Sequence, residues 1–195
     1  MTLGTACPER DAGMKTIVVV EYDSNWPTIF EQLRMRIWPA VPDCASSIEH
    51  VGSTSVPGLA AKPIIDVTVV VPTGADVAGG ISRLAALGYV HQGNLGVEGR
   101  EAFRAPGSTP RHHLYLCPSD SLALRNHLVV REYLRTHPEV AKQYGDLKRR
   151  LAEQFPADID GYVAGKTDLI IRMLAAAGFR SDELESIQRI NRRSV

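Results

Sequence analysis

The segment that most constrains this chain is Ile48 to Val71, IEHVGSTSVPGLAAKPIIDVTVVV. Its last stretch, Pro63 to Val71, is dominated by β-branched residues and predicts a strand. Side chains alternate along a strand, so Ile65, Val67, Val69 and Val71 share one face while Ile64, Asp66, Thr68 and Val70 share the other. The first face is aliphatic throughout and must be core. The second carries a carboxylate and a hydroxyl at its centre. Aspartate is poorly suited to strands and costly to bury alone, so Asp66 needs a cation, a metal or a hydrogen-bond donor beside it. Upstream, Ser46 to Val51 reads as a short strand that runs directly into Gly52, Ser53, Thr54 and Ser55. Glycine allows close backbone approach to an anion, and serine hydroxyls with exposed N–H groups can bind phosphate oxygens. This loop is therefore the expected phosphate cradle, with Lys62 at its far end.

Three further groups are candidates for the same site. Glu49 and His50 are adjacent and point to opposite faces of their strand, and Glu49 is expected to look toward Asp66. A surface ion pair for Glu49 and a core position for His50 is the alternative. Arg111 to Cys117 reads as another strand, with His112, Leu114 and Leu116 facing the core and His113, Tyr115 and Cys117 on the side of Asp66. A His–Asp metal centre of Asp66, His113 and a third ligand is one reading of that face, since imidazole suits transition metals. Two Tyr-x3-Lys pairs, Tyr144/Lys148 and Tyr162/Lys166, each place a ring and an ammonium on one helix face. They either stack a base and hold phosphates, or pack a tyrosine under the stem of its lysine. Arg100, Arg104 and Arg131 are guanidinium groups able to fork a phosphate or carboxylate, and Arg100, Arg131 and Lys166 join the expected phosphate-binding set.

The rest of the chain supports one α/β unit of mixed sheet and packed helices. Thr16 to Glu21 reads as a first strand. Asp23-Ser24 offers an N-cap ahead of Trp26, Phe30, Leu33 and Ile37 at helical spacing. Ala75 to Leu87 predicts a helix with Ile81, Leu84 and Ala85 inward, and Tyr89 to Ala105 a hairpin. From Ser119 the texture turns helical, over Leu122–Thr136, Pro138–Gln154 and Ile159–Ala177, with a short helix or tail over 181–195. The domain is expected over 14–180, after a disordered lead over 1–13. The chain's 22 basic and 22 acidic residues balance, which argues against a nucleic-acid partner, whose phosphates reward a basic surface. Within that balance, 6 basic and 9 acidic residues precede Glu98, against 16 and 13 from Glu98 onward. That split suits an acidic half that holds a metal and a basic half that holds its phosphates. No run approaches the roughly 20 apolar residues of a membrane helix. Met1 to Lys15 lacks a signal peptide's apolar centre, so a cytoplasmic setting without membrane contact is expected. The three cysteines, Cys7, Cys44 and Cys117, form no CxxC and read as reduced thiols.

The run Ile48-Glu49-His50, then Gly52 to Leu59, then Lys62 to Asp66, resembles the GrpB family (UPF0157). The resemblance extends over roughly Val19 to Ala177 and includes Trp26-Pro27, His112-His113-Leu114, Arg131 and Tyr162 with Lys166. That family in turn resembles the polymerase-β-type nucleotidyltransferases, which implies a nucleotidyltransferase-like mixed α/β (α+β) fold with a helical C-terminal part. In that superfamily a Gly-Ser precedes two carboxylates one residue apart, which hold two Mg²⁺ ions about 4 Å apart. Gly52-Ser53 and Asp66 match the pattern, and Thr68 stands where the second carboxylate is expected. The resemblance implies Asp66, Thr68 and Glu49 in catalytic positions, with Asp66 as the Mg²⁺ ligand. It implies His113, Tyr115 and Tyr162 against the substrate. Two function classes remain open. One is a Mg²⁺-dependent nucleotidyl or phosphoryl transferase acting on a small acceptor. The other is a nucleotide- or phosphate-binding module without catalysis, in a coenzyme-A or nucleotide setting, since some family members are fused to a dephospho-CoA kinase.

Overall fold

The aliphatic face of the Asp66 strand lies at the centre of the main core, as its alternation demands. A computed structural model describes residues 16–192; the expected lead over 1–13 and Cys7 lie outside them. Strand β1 (Ser47–Val51) pairs antiparallel with β2 (Ile65–Val71), and β2 pairs parallel with β5 (His112–Pro118). Strands β3 (Val90–His91) and β4 (Glu101–Arg104) complete a five-stranded mixed sheet of order β1-β2-β5-β4-β3. Ile65, Val67, Val69 and Val71, with Leu114 and Leu116 of β5, are buried against helix α1 (Trp26–Ile37). Trp26, Phe30, Leu33 and Ile37 form the buried stripe of α1, at the spacing of one helix face. Helix α2 (Val77–Ala86) adds Leu84 to the same core, with the Asp76 carboxylate accepting the Gly79 N–H at 2.9 Å as its cap.

The opposite face meets the helical half. Helix α3 (Leu122–Thr136) lays Ala123 and Leu124 over Val70 and Cys117. Helices α4 (Pro138–Gln154) and α5 (Ile159–Ala176) contribute Tyr144, Leu169 and Met173 to a second cluster with Leu134. Val56 and Leu59, from the loop after β1, are buried in that cluster. The loop is thus held between the sheet and the helices. Helix α6 (Ser181–Arg192) closes on α5 through Ile187, Leu174 and Phe179, so the expected helix-or-tail region is a packed helix as far as residue 192. None of the described helices is long and apolar enough to cross a membrane.

Four expectations are corrected. Thr16 to Glu21 joins the sheet nowhere; Val20 makes one isolated bridge with Ala61, and Ile17 donates to Pro156 O at 2.7 Å. Its β-branched residues pack Ile17 against Leu151 and Tyr162 instead of pairing with a strand. The region Tyr89 to Ala105 contains a hairpin of only a two-residue and a four-residue strand. Gly93, Gly96 and Gly99, all at positive φ, carry the chain through the long connection. On α2 the inward stripe is Gly80, Ile81 and Leu84, and Ala85 is exposed because one step beyond Leu84 turns to solvent. The residue capping α1 is Asn25, with no side-chain cap; the Asp23 carboxylate, two positions earlier, accepts the Asn25 N–H.

Candidate anion-binding site

The loop leaves β1 at Gly52, which adopts φ +69°. A Cβ there would overlap the Asp66 carboxylate, so glycine is required by both the backbone and the close approach. Ser55 then closes a tight turn, its hydroxyl donating to Gly52 O at 2.6 Å. The Thr54 hydroxyl donates to Ile64 O at 3.4 Å and lies 3.0 Å from His50 Nε2, which therefore donates to it. The His50 ring stacks on Phe30 with centroids 4.7 Å apart. Burial, with help from Arg135 and Arg131 and against Asp66 and Glu31, lowers the His50 pKa to about 4. His50 is thus a neutral core residue. Within the loop, the Thr54 and Ser55 hydroxyls are committed internally, while Ser53 lines a cleft.

Arg131 and Arg135 hold this loop from α3. Arg131 Nη1 donates to Glu49 Oε2 at 3.0 Å and to His50 O at 2.8 Å, and its Nε to Glu132 at 2.8 Å. Arg135 donates twice to Ser55 O, at 3.1 and 2.7 Å. Glu49 lies on the Asp66 face, as expected, opposite Thr68. Its carboxylate is occupied by Arg131 and by the Ser47 hydroxyl. Arg131, expected among the phosphate ligands, is spent on the clamp and does not line the cleft.

The cleft, of about 170 Å³, is lined by Ser53, Lys62, Asp66, His113, Lys148, Tyr162 and Lys166. Asp66 and His113 are register partners, and His113 Nδ1 lies 2.9 Å from Asp66 Oδ1. Burial pushes the Asp66 pKa up, but the His113 hydrogen bond and the charges of His113, His127 and Lys62 outweigh it and hold the carboxyl below its ordinary range. Lys62 and Lys166 lie over the Tyr162 ring at 5.4 and 4.4 Å, and Lys148 over Tyr144 at 4.6 Å. Lys148 is only 2% exposed, and its Nζ has no hydrogen-bond partner among the described residues. Burial first, then Lys166 and Arg149, pull the Lys148 pKa down to about 6 against the pull of Asp66. Burial and Lys62 lower Lys166 to about 8, again against Asp66. Three amines therefore converge on one carboxylate.

Thr68 and Tyr115 occupy the same face further along. Thr68 is fully buried, with Oγ1 lacking any partner among the described residues. The Arg100 guanidinium lies over the Tyr115 ring at 4.7 Å, and Arg100 lines a different cavity from the three lysines. Lys148, which the Tyr144/Lys148 spacing offers to a phosphate, lines the lysine cleft. His127, not singled out from the sequence, lines the Arg100 cavity and not the lysine cleft. His127, whose ring is 5.7 Å from Tyr115, recurs with Arg131 and Arg135 every four residues along α3. That stripe was the available signal.

The donor set does not fit a pair of resident Mg²⁺ ions. Thr68 is covered, Glu49 is held by Arg131, one oxygen of Asp66 is engaged by His113, and three amines surround it. Among the described residues no group of three or more His, Cys, Asp or Glu side chains is placed to hold a metal ion, so the His–Asp centre lacks its third ligand.

Residues 16–176 match the family model described as GrpB protein. The chain belongs to the GrpB family. It is 35% identical over 156 residues to the UPF0157 protein YqkA of Bacillus subtilis, a match that covers 80% of this chain and 46% of YqkA. A UPF0157 protein of Pseudomonas aeruginosa is 36% identical over 169 residues, covering 83% of this chain and 67% of that protein. This chain thus spans about half the length of the first and two thirds of the second. The crystal structure of the GrpB protein of Enterococcus faecalis superposes with a TM-score of 0.71 at 32% identity, covering 88% of this chain and 98% of that one. The residues matched to the family, 16–176, include the loop, β2 and the two helices that bring Lys148 and Lys166 to the cleft.

Proposed function

We propose that this protein binds the phosphate chain of a nucleotide or nucleotide-like metabolite in the lysine cleft. The observation that carries this reading is the convergence of Lys62, Lys148 and Lys166 with Ser53, and above all the buried, unpartnered Lys148 Nζ. A buried amine with no hydrogen-bond partner among the described residues and two further amines beside it is costly, and an anion seated against it supplies what is lacking. A relative in Mycolicibacterium paratuberculosis, 27% identical over 186 residues, carries the name dephospho-CoA kinase, which agrees with a phosphorylated, nucleotide-like ligand. Where Mg²⁺ accompanies such a ligand, Asp66 would be the carboxylate of the cleft able to hold it beside the phosphates. Isothermal titration with ATP and with inorganic triphosphate, with and without Mg²⁺, tests the reading. Saturable binding that Ser53→Ala weakens and Lys148→Met abolishes is expected; equal affinity in Lys148→Met, or no binding of any phosphate compound, overturns it.

One observation favours transfer to a small acceptor as a second reading. With Nδ1 turned to Asp66, the half-exposed His113 of the cleft leaves Nε2 without a hydrogen-bond partner among the described residues. A histidine oriented in this way can take a proton from an acceptor hydroxyl while the lysines neutralise the phosphoryl charge. Loss of nucleotide turnover in His113→Gln with ATP affinity retained supports this reading, and unchanged turnover removes it.

A further inference from the structure

Beyond Tyr115 from the lysine cleft lies a larger cavity of about 450 Å³, between the C-terminal end of β5, the start of α3 and helix α6. Its volume suits a small metabolite. The residues that close it from α6, among them Ile187 and Ile190, lie after residue 176, where the family match ends.

Its chemistry is mixed in a specific way. Arg100 lines it with a buried Nε that has no partner, while Nη2 only reaches Asn94 O at 3.5 Å. The guanidinium makes no ion pair among the described residues; it rests on the Tyr115 ring. His127 Nδ1, also lining the cavity, is likewise buried and unpartnered. Glu98 and Asp120 also line the cavity, exposed and making no hydrogen bond or ion pair among the described residues. Both signs of charge are thus present and unpaired in a lining that also includes Ile187 and Ile190. One guanidinium against two carboxylates disfavours a multiply charged phosphate, and an apolar ligand alone leaves the buried nitrogens unsatisfied.

We propose that this cavity binds a small zwitterion of the amino-acid class, one with an apolar side chain. The ligand carboxylate forks onto Arg100, its ammonium faces Glu98 and Asp120, and its side chain lies against Ile187 and Ile190. The site uses none of the three lysines, so it stands or falls separately from the phosphate reading.

The test follows the His127 imidazole nitrogens by NMR in the full chain. The probes are L-leucine, L-methionine and L-phenylalanine, beside the single-charge compounds 4-methylpentanoate and 3-methylbutylamine. The expected result is a saturating His127 shift with at least one amino acid at a Kd of about 1 mM or tighter. Both single-charge compounds are expected to bind at least about tenfold more weakly, as are Arg100→Met and Asp120→Asn toward the amino acid. Ile190→Trp, which fills the cavity but keeps its charges, abolishes the shift, while Lys148→Met leaves it intact. The proposal is overturned if no amino acid saturates the shift by about 10 mM. It is equally overturned if 4-methylpentanoate binds as tightly as leucine, which marks an anion-only site, or if Ile190→Trp binds unchanged.

Discussion

At Lys148 an amine sits almost wholly out of water with no hydrogen-bond partner among the described residues, beside two more lysines. Exchanging it for methionine removes that cost while keeping most of the volume. The folded chain keeps this amine at a cost that the unfolded chain, where it is solvated and charged, does not bear. Lys148→Met is therefore expected to raise the urea midpoint of the ligand-free protein and to eliminate triphosphate binding, and a lowered midpoint contradicts the role assigned to this lysine. Gly52 presents the opposite case. Any Cβ there meets the Asp66 carboxylate at a φ that side chains rarely adopt, so Gly52→Ala is expected to cost about 2 kcal/mol or more, read as a shift in the same midpoint. Asp66 itself was legible as a residue in need of compensation. What the sequence could not show is that the compensation includes His113, 47 residues away and a neighbour only through parallel pairing of β2 with β5, and Lys148 and Lys166, brought in by α4 and α5. Thr68 illustrates the same limit. As a letter it marks a missing carboxylate, but in the fold it is fully covered, so Thr68→Asp puts a charge into the core and does not rebuild a metal pair.

Elements with strong internal periodicity were readable, and those defined by their neighbours were not. The stripes of α1 and α5 and the alternation of β2 appear as the hydrophobic pattern demands. Thr16 to Glu21 has the composition of a strand, yet strand formation needs a free sheet edge, and the β1 edge is not where this segment lies. The clamp of α3 on the loop was equally invisible as a function, since Arg131 and Arg135 have the residue type of phosphate ligands but find backbone carbonyls and Glu49 first. Arg131→Ala leaves the Glu49 carboxylate with the Ser47 hydroxyl alone and takes the guanidinium donor from His50 O. It is expected to destabilise by on the order of 2 kcal/mol and to weaken triphosphate binding indirectly, through a loosened loop. Arg131→Lys, which keeps the charge but not the fork, is expected to fall between. Hydrogen exchange at Ser53 to Val56 measures the loosening directly; unchanged protection there separates the clamp from the site.

Across the whole molecule the ionisable groups make stability depend on pH in one direction over a wide range. His50 and His127 have pKa values lowered from 6.5 to about 4, in each case chiefly by burial. Between those values the unfolded chain binds protons that the folded chain refuses, so stability falls as pH drops from 6.5 toward 4. Lys148, lowered from 10.5 to about 6, and Lys166, lowered to about 8, act the same way in the alkaline range. Above pH 6 the folded protein releases a proton from Lys148 that the unfolded chain still holds, so stability continues to rise with pH. Each such group contributes a slope of about 1.4 kcal/mol per pH unit within its window. The urea midpoint of the ligand-free protein is therefore expected to climb steadily from pH 5 to 9 instead of peaking near neutrality. Lys148→Met removes part of the climb above pH 6 and leaves the acid limb, which His127→Gln shallows. A saturating triphosphate ligand restores the Lys148 proton, so it flattens the alkaline limb, and near pH 7.5 its binding takes up protons from the buffer. Titrations in buffers of differing ionisation enthalpy read that uptake directly. A midpoint that peaks near pH 7, together with binding that exchanges no proton, means Lys148 is already charged in the empty cleft.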